Sequence, residues 1–273
     1  KTYTIGLLIP SIDNPYFATI ASEIVFEAKR YGYTVILLDT LEDEGNESEC
    51  INTLLTRSID GIILVPCGER PESLEKIDEQ TPIVLIDRYF EDTSLSYICT
   101  DNYRGALDGV KLLIENGHKE ILCIRGVPHS MPSKERVKGY IDALRESGFD
   151  TRSRITGNDY SITNGYLETK LAIGSPARPT AIFALSNTIM LGAIRAIGES
   201  SLRIPDDVSI LSFDNNLFLD FLHPAVTRIS QPTKEISQLA VKILMERLSD
   251  KQSVPQQIKL PAQIIEGKSV KRL

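Results

Sequence analysis

The sequence predicts an α/β protein of two lobes, each a parallel sheet with helices on both faces. Three observations predict it. Short, continuously apolar runs alternate with amphipathic helical stretches along the whole chain, the pattern of strands buried on both faces between crossover helices. Roughly ten such strands would overfill one twisted sheet, so two sheets of about five are expected. The 273 residues also exceed the usual size of a single core. No Gly/Ser- or Pro-rich linker separates the lobes, so the chain is expected to cross between them several times. The expected division is 1–116 with 233–260 in the first lobe, and 117–232 with 261–273 in the second.

IGLLIP opens as a strand. Asn14 then caps a helix with Pro15 at its first position, where the missing N–H costs nothing. Phe17, Ala21, Ile24 and Ala28 line one face of that helix, Lys29 and Arg30 suit its last turn, and Gly32 ends it. YTVILL is the next strand, followed by a helix with Ile51, Leu54 and Leu55, the strand DGIILVP, a short helix around Leu74 and Ile77, and the strand PIVLIDR. LSYICTDN leads into a helix bearing Ala106, Val110, Leu113 and Ile114, closed by Gly117. EILCIRG precedes the SKERVKGYIDALRESG helix, which ends at Gly148. A strand near SRITG, a helix from about Thr163, the strand AIFALSN and the helix LGAIRAIGES come next. VSILSFD and VTRIS complete the strands. The long helix KEISQLAVKILMERLSD, with Ile236, Leu239, Ala240, Ile243 and Leu244 on one face, is expected to return to the first lobe.

A formal charge of -7 argues against this chain gripping nucleic acid by itself, a task that needs a Lys/Arg-rich face. The KSVKRL tail reads as a frayed end. The four cysteines, Cys50, Cys67, Cys99 and Cys123, form no CxxC pair, and three belong to apolar runs where free Cys behaves as a small hydrophobe. No disulfide framework is expected, which favours a reducing, cytoplasmic setting. No apolar stretch approaches the ~18 residues needed to span a bilayer, and KTYTIGLLIPS reads as a strand rather than a signal peptide.

Function is expected at the strand ends, since ligands of open α/β sheets bind beyond the carboxyl ends of the strands. Five apolar runs stop there on strong hydrogen-bonding groups: Asn14, Asp87 with Arg88, Asn187, Asp214 and Gln231. Each has a bland reading. Asn14 is also the helix cap. Phe17 lies on the apolar helix stripe and divides evenly between core and cleft, whereas Tyr16, one residue off the stripe, points to the cleft. Asp87–Arg88 is either a surface ion pair, common and weak, or an acceptor and a planar donor fork for vicinal hydroxyls. Asp101 and Asn102 cap the next helix and serve the site as well. Arg136 stands near the positive end of its helix, where a cation is disfavoured, so a ligand oxygen or carboxylate would account for it. Tyr160 is either a cleft wall or a surface-loop tyrosine. Asp214 is the strongest single candidate, because an unpaired carboxylate ending a buried strand is costly. Gln231 precedes Pro232 and also reads as a turn residue.

No GxGxxG, GxxxxGK[ST], HExxH or GxSxG is present, and His118, His129 and His223 are widely spaced without an obvious partner. No cofactor, metal or catalytic residue is expected.

IGLLIPSIDNPYF, RSIDGIILVP, IDRYF, CTDNYRGA, NGHKEILCIRG, RPTAIFAL, LRIPDDVSILSFDN and VTRISQP together resemble, in order and over essentially the whole chain, the effector-binding region of the lactose-repressor (LacI/GalR) family of bacterial transcriptional regulators. The resemblance implies a type I periplasmic-binding-protein-like fold: two Rossmann-like lobes, three crossovers and a sugar-sized cleft between them. It also implies a homodimer whose cleft ligand changes operator affinity by shifting the lobes. Carried over, Asn14, Tyr16, Phe17, Asp87, Arg88, Asp101 and Asn102 would line the first lobe's side, and Arg136, Tyr160, Asn187, Asp214 and Gln231 the second. The family's helix-turn-helix and hinge helix would precede this sequence, so operator DNA is reached only through that missing part. A second departure is Ser186-Asn187, where the family has Asn-Asp or Ser-Asp; this opens that corner to a different sugar epimer or an anionic sugar. The expected effector is a sugar, sugar acid or sugar phosphate, with purines a lesser option. The alternative function is an exported sugar-binding protein of a transporter or chemoreceptor, and a hydrolase is a third, weaker one.

Overall fold

A computed structural model describes residues 1–149, 153–250 and 253–273. In chain order the elements are β1 Thr4–Ile9, α1 Pro15–Arg30, β2 Thr34–Asp39, α2 Glu44–Thr56, β3 Gly61–Leu64, α3 Glu72–Asp78, β4 Ile83–Ile86 and β5 Ser96–Thr100. There follow α4 Asn102–Glu115, β6 Ile121–Ile124, α5 Met131–Glu146, β7 Arg154–Thr156, α6 Ile162–Ile173, β8 Ala181–Ala184, α7 Asn187–Gly198 and β9 Ser209–Phe213. The chain closes with β10 Thr227–Ser230, α8 Thr233–Ser249, β11 Gln257–Leu260 and β12 Gln263–Ile265.

Two compact units result, Lys1–Thr100 with Pro232–Leu260, and Asp101–Gln231 with Pro261–Leu273, so the chain passes between them three times. The first unit holds a six-stranded sheet in the order β11-β5-β4-β3-β1-β2, all pairs parallel. Side chains alternate faces along a strand, and each face has its own core. Ile5, Leu7, Ile63, Val84 and Ile86 pack with α1 and α8 through Ile20, Ile24, Ile236 and Leu244. Leu8, Ile62, Leu64 and Leu85 pack with α2 and α3 through Ile51, Leu54 and Leu74.

The second unit repeats the scheme as β12-β10-β9-β8-β6-β7, parallel except for β12, which runs antiparallel to β10. Cys123, Phe183, Leu211 and Phe213 face α4 and α5, while Leu122, Ile182 and Ile210 face α6 and α7. The caps fall where expected: Asn14 Oδ1 accepts the Tyr16 N–H, and Gly32, Gly117 and Gly148 follow their helices at φ of 77°, 93° and 76°.

Two expectations are corrected. Among the described residues each sheet has six strands rather than about five, because β11 and β12 were not legible: Gln257–Leu260 alternates exposed and half-buried residues at a sheet edge and lacks a continuous apolar run. The first crossing falls after Thr100 rather than after 116, so α4 belongs to the second unit. Its two glycines account for this. A Cβ at Gly109 would lie 2.5 Å from Ile229 Cδ1, and one at Gly105 3.2 Å from Phe213 Cζ, so α4 is shaped to lie directly on the second sheet.

Candidate functional site

In the first unit, the ends of β1, β2, β3 and β4 bring four of the expected residues and one unexpected residue into two linked groups. Asn14 is spent on its cap. Tyr16 and Phe17 are both buried in the core, packed edge to face with centroids 5.1 Å apart. Tyr16 is tied to the strand ends through its hydroxyl, which donates to Asp87 Oδ1 at 2.8 Å. Asp87 sits at φ 64°, in the left-handed region that non-glycine residues seldom occupy. The Arg88 N–H reaches back to the Ile86 carbonyl at 2.6 Å, closing a three-residue γ-type turn around it. Strain of this kind persists where the surroundings over-determine it, and it concentrates at functional sites.

Arg88 is buried beside Asp87, its Nε 3.8 Å from Asp87 Oδ2. Its fork closes on Glu42: Nη2 donates to Oε2 at 3.0 Å and Nη1 to Oε1. Glu42 escaped sequence reading because the LEDEG loop looks like any solvated acidic run. Behind it, the Cys67 Sγ lies 3.0 Å from Thr40 Oγ1, the Cys67 N–H donates to Glu47 Oε2 at 2.6 Å, and burial pushes the thiol up to about 12. That thiol is a packing group.

In the second unit a denser network forms at the ends of β8, β9 and β10. Asp214 is 3% exposed and holds φ 78°. Gln231 Nε2 donates to its Oδ1 at 2.5 Å, and the Asn187 N–H, at the start of α7, donates to its Oδ2 at 3.2 Å. Burial raises the Asp214 carboxyl above the ordinary range, outweighing the opposing pull of Arg136, Gln231 and the Asn187 amide.

Arg136 is held from three sides. Its Nε donates to Asn102 Oδ1 at 2.8 Å, its Nη1 to the Leu185 carbonyl at 2.6 Å, and its guanidinium lies over the Phe213 ring at 3.8 Å. Asn187 Nδ2 donates to Asn216 Oδ1, while Asn187 Oδ1 is buried without a hydrogen-bond partner among the described residues. Tyr160 stands at the edge of this set, its hydroxyl 3.0 Å from Ser130 Oγ.

Asp101 and Asn102 were expected on the first lobe's side and belong instead to the second unit, because α4 packs there. Asp101 caps α4 by accepting the Arg104 N–H at 2.9 Å, and Asn102 serves Arg136. Asn216 was also missed, although it lies two residues beyond Asp214 in SFDNN.

Each unit's strand ends present carboxylates, a guanidinium and amides, and no described group of His, Cys, Asp and Glu is suited to a metal. No described helix is long and apolar enough to cross a membrane. The fold is that of the periplasmic binding protein-like domain, and the model of that family matches residues 110–270. Among curated relatives, the chain is 32% identical over 267 residues to the NTD biosynthesis operon regulator NtdR of Bacillus subtilis strain 168, covering 97% of this chain and 81% of the regulator. It is 33% identical over 253 residues to the transcriptional repressor CytR of Escherichia coli K12, covering 91% and 73%. Among solved structures, a LacI family transcriptional regulator from Enterococcus faecium with bound ribose superposes with a TM-score of 0.91 at 25% identity, covering 99% of both chains. The chain belongs to the LacI family of transcriptional regulators.

Proposed function

We propose that this chain is the effector-binding part of a bacterial transcriptional regulator, that its effector is a sugar or sugar derivative gripped by the strand-end residues, and that binding modulates operator affinity. One observation carries this reading: the ends of the corresponding strands β4 and β9 each present a buried aspartate at positive φ under the influence of a buried arginine, Arg88 on Asp87 and Arg136 on Asp214. The carboxylates of such pairs supply acceptors for vicinal hydroxyls, with the arginines fixing their orientation. Ribose in the Enterococcus faecium regulator is consistent with it. The twelve residues proposed to build the ligand site are those expected from sequence, with Tyr16 and Phe17 supporting it from the core and Asn14 and Asp101 through their caps. The unpartnered Asn187 Oδ1 favours a ligand that brings a hydroxyl donor to that corner. Binding without turnover, a homodimer and a cytoplasmic location complete the proposal.

A thermal-shift panel of pentoses, hexoses, sugar acids, sugar phosphates and purines tests it. A ligand at ~100 times its Kd adds roughly 2.7 kcal/mol, and each kcal/mol moves the midpoint of a chain this long by about 2–4 °C. A clear sugar hit is expected. A purine hit with no sugar hit would replace the reading.

A further inference from the structure

Two arginines at strand ends would favour an anionic sugar if their charge were uncommitted. In the first unit it is committed. Both terminal nitrogens of Arg88 meet the two oxygens of Glu42, Nη1 also donates to the Pro66 carbonyl at 3.3 Å, and Asp87 lies alongside. This bidentate fork is the geometry with which arginine takes a phosphate or carboxylate. One guanidinium is thereby shared between two carboxylates.

The loop that delivers Glu42 is shaped for this contact. Leu41 and Glu42 both adopt left-handed φ, 54° and 56°, an arrangement unfavourable for two successive non-glycine residues. Leu41 recovers nothing by burial, since it is 71% exposed. The turn is tied by the Leu41 N–H donating to Asp39 Oδ1 at 2.9 Å and the Asp43 N–H to the Thr40 carbonyl at 3.1 Å, and it sets the Glu42 carboxylate on Arg88. In the second unit Arg136 is likewise committed, to Asn102 Oδ1 and the Leu185 carbonyl, with Asp214 as its neighbouring carboxylate.

We propose that Glu42 is a specificity-determining residue: by filling the Arg88 fork it selects a neutral polyhydroxy effector and rejects sugar phosphates and sugar acids. The proposal rests on the sugar-binding reading above. A neutral sugar can donate hydroxyls to the carboxylates, whereas an anion must both displace Glu42 and face Asp87.

The test uses the wild-type chain, E42Q and E42A, titrated calorimetrically with each neutral sugar found in the thermal-shift panel and with its phosphate and its aldonic acid. Glutamine keeps one acceptor for Arg88 while removing the charge, and the side chain is a third exposed, so neither variant endangers the fold. Wild type should bind the neutral sugar and take the anionic forms at least about a hundredfold more weakly. Removing the charged competitor should narrow that ratio by about tenfold in E42Q, the equivalent of roughly 1.4 kcal/mol, and further in E42A. If wild type takes the phosphate or the acid as tightly as the neutral parent, the proposal falls while the sugar reading stands. It falls equally if both variants weaken all ligands alike, since a purely structural loop would leave the ratio unchanged. If no sugar of any charge binds, the sugar reading fails and this proposal fails with it.

Discussion

The two units solve one topological problem twice and finish it differently. Both sheets place the strands in the same order, so β4 corresponds to β9 and β5 to β10. After β4 stands Asp87 and after β9 stands Asp214, both at positive φ. Each donates its N–H to the third residue of the next strand, Asp87 to the Ile98 carbonyl and Asp214 to the Ile229 carbonyl, both at 3.0 Å. Each unit also holds the helix that follows the other's fifth strand: α4 follows β5 and packs in the second unit, and α8 follows β10 and packs in the first. The units part company in electrostatics. The first answers its arginine with charge, through the part-exposed Glu42 and the buried Asp87. The second answers its arginine with neutral acceptors and an aromatic face, and keeps the Asp214 carboxylate buried on neutral donors. Backbone geometry follows from topology, whereas charge balance depends on side chains brought from separate elements.

That contrast is broken most directly by deleting the two arginines. Arg136→Ala would leave Asp214 buried without its neighbouring cation, and Asn102 Oδ1 and the Leu185 carbonyl without their donor. Losing one partner of a buried charged network costs about 3–5 kcal/mol. Arg88→Ala frees a part-exposed Glu42 carboxylate to turn to solvent but leaves the buried Asp87 without its neighbouring cation, so a smaller cost of roughly 2–3 kcal/mol is expected. Urea unfolding of both variants decides the matter: equal losses would mean that the second unit depends on its arginine no more than the first does.

A smaller contrast separates the helix layers. A Cβ on Gly192 of α7 would stand 2.1 Å from the Ile162 carbonyl and 2.6 Å from the Tyr166 amide, backbone atoms that cannot turn away. A Cβ on Gly6 of β1 would meet Leu54 Cδ1 at 2.4 Å, the far end of a side chain with other rotamers. Gly192→Ala should therefore cost about 1–3 kcal/mol and Gly6→Ala clearly less. Thermal midpoints in reverse order would show that Leu54 is pinned.

The sequence made the fold legible wherever burial is two-sided. Ile83–Ile86 and Ala181–Ala184 are fully buried strands and read as unbroken apolar runs. The edge strands β11 and β12 are bathed on one side and carry no such run. The candidate site was legible to the extent that a strand end is polar: Asp87 and Arg88 in the first unit, and Asn187, Asp214 and Gln231 in the second, each meet partners at strand ends. Glu42 and Asn216 were not legible, because a loop acid and a turn amide acquire meaning only from what the fold sets opposite them. The assignment of α4 failed for a related reason. Gly105 and Gly109 look like weak points in a helix until Ile229 and Phe213 are seen beneath them.

The finest test concerns the buried carboxylate itself. Asp214→Asn keeps the shape, and asparagine tolerates the left-handed φ of that position. It removes the cost of burying a charge along with the attraction to Arg136, two opposed effects, so the net change near neutral pH should stay within about 1 kcal/mol. The informative quantity is its pH dependence. Burial raises the folded-state affinity of Asp214 for a proton above that of the unfolded chain. Between the ordinary carboxylate range and the raised folded value, the native state therefore binds more protons, and stability contributed by this group falls as pH rises. Above that window the penalty is constant. As pH is lowered from 7 into the ordinary carboxylate range of about 4, wild type should gain stability relative to Asp214→Asn, other titrations cancelling in the difference. A difference that stays flat, or that moves against wild type on acidification, would mean that the donors from Gln231 and Asn187 outweigh burial. The second unit would then hold its carboxylate as comfortably as the first holds the Glu42–Arg88 pair.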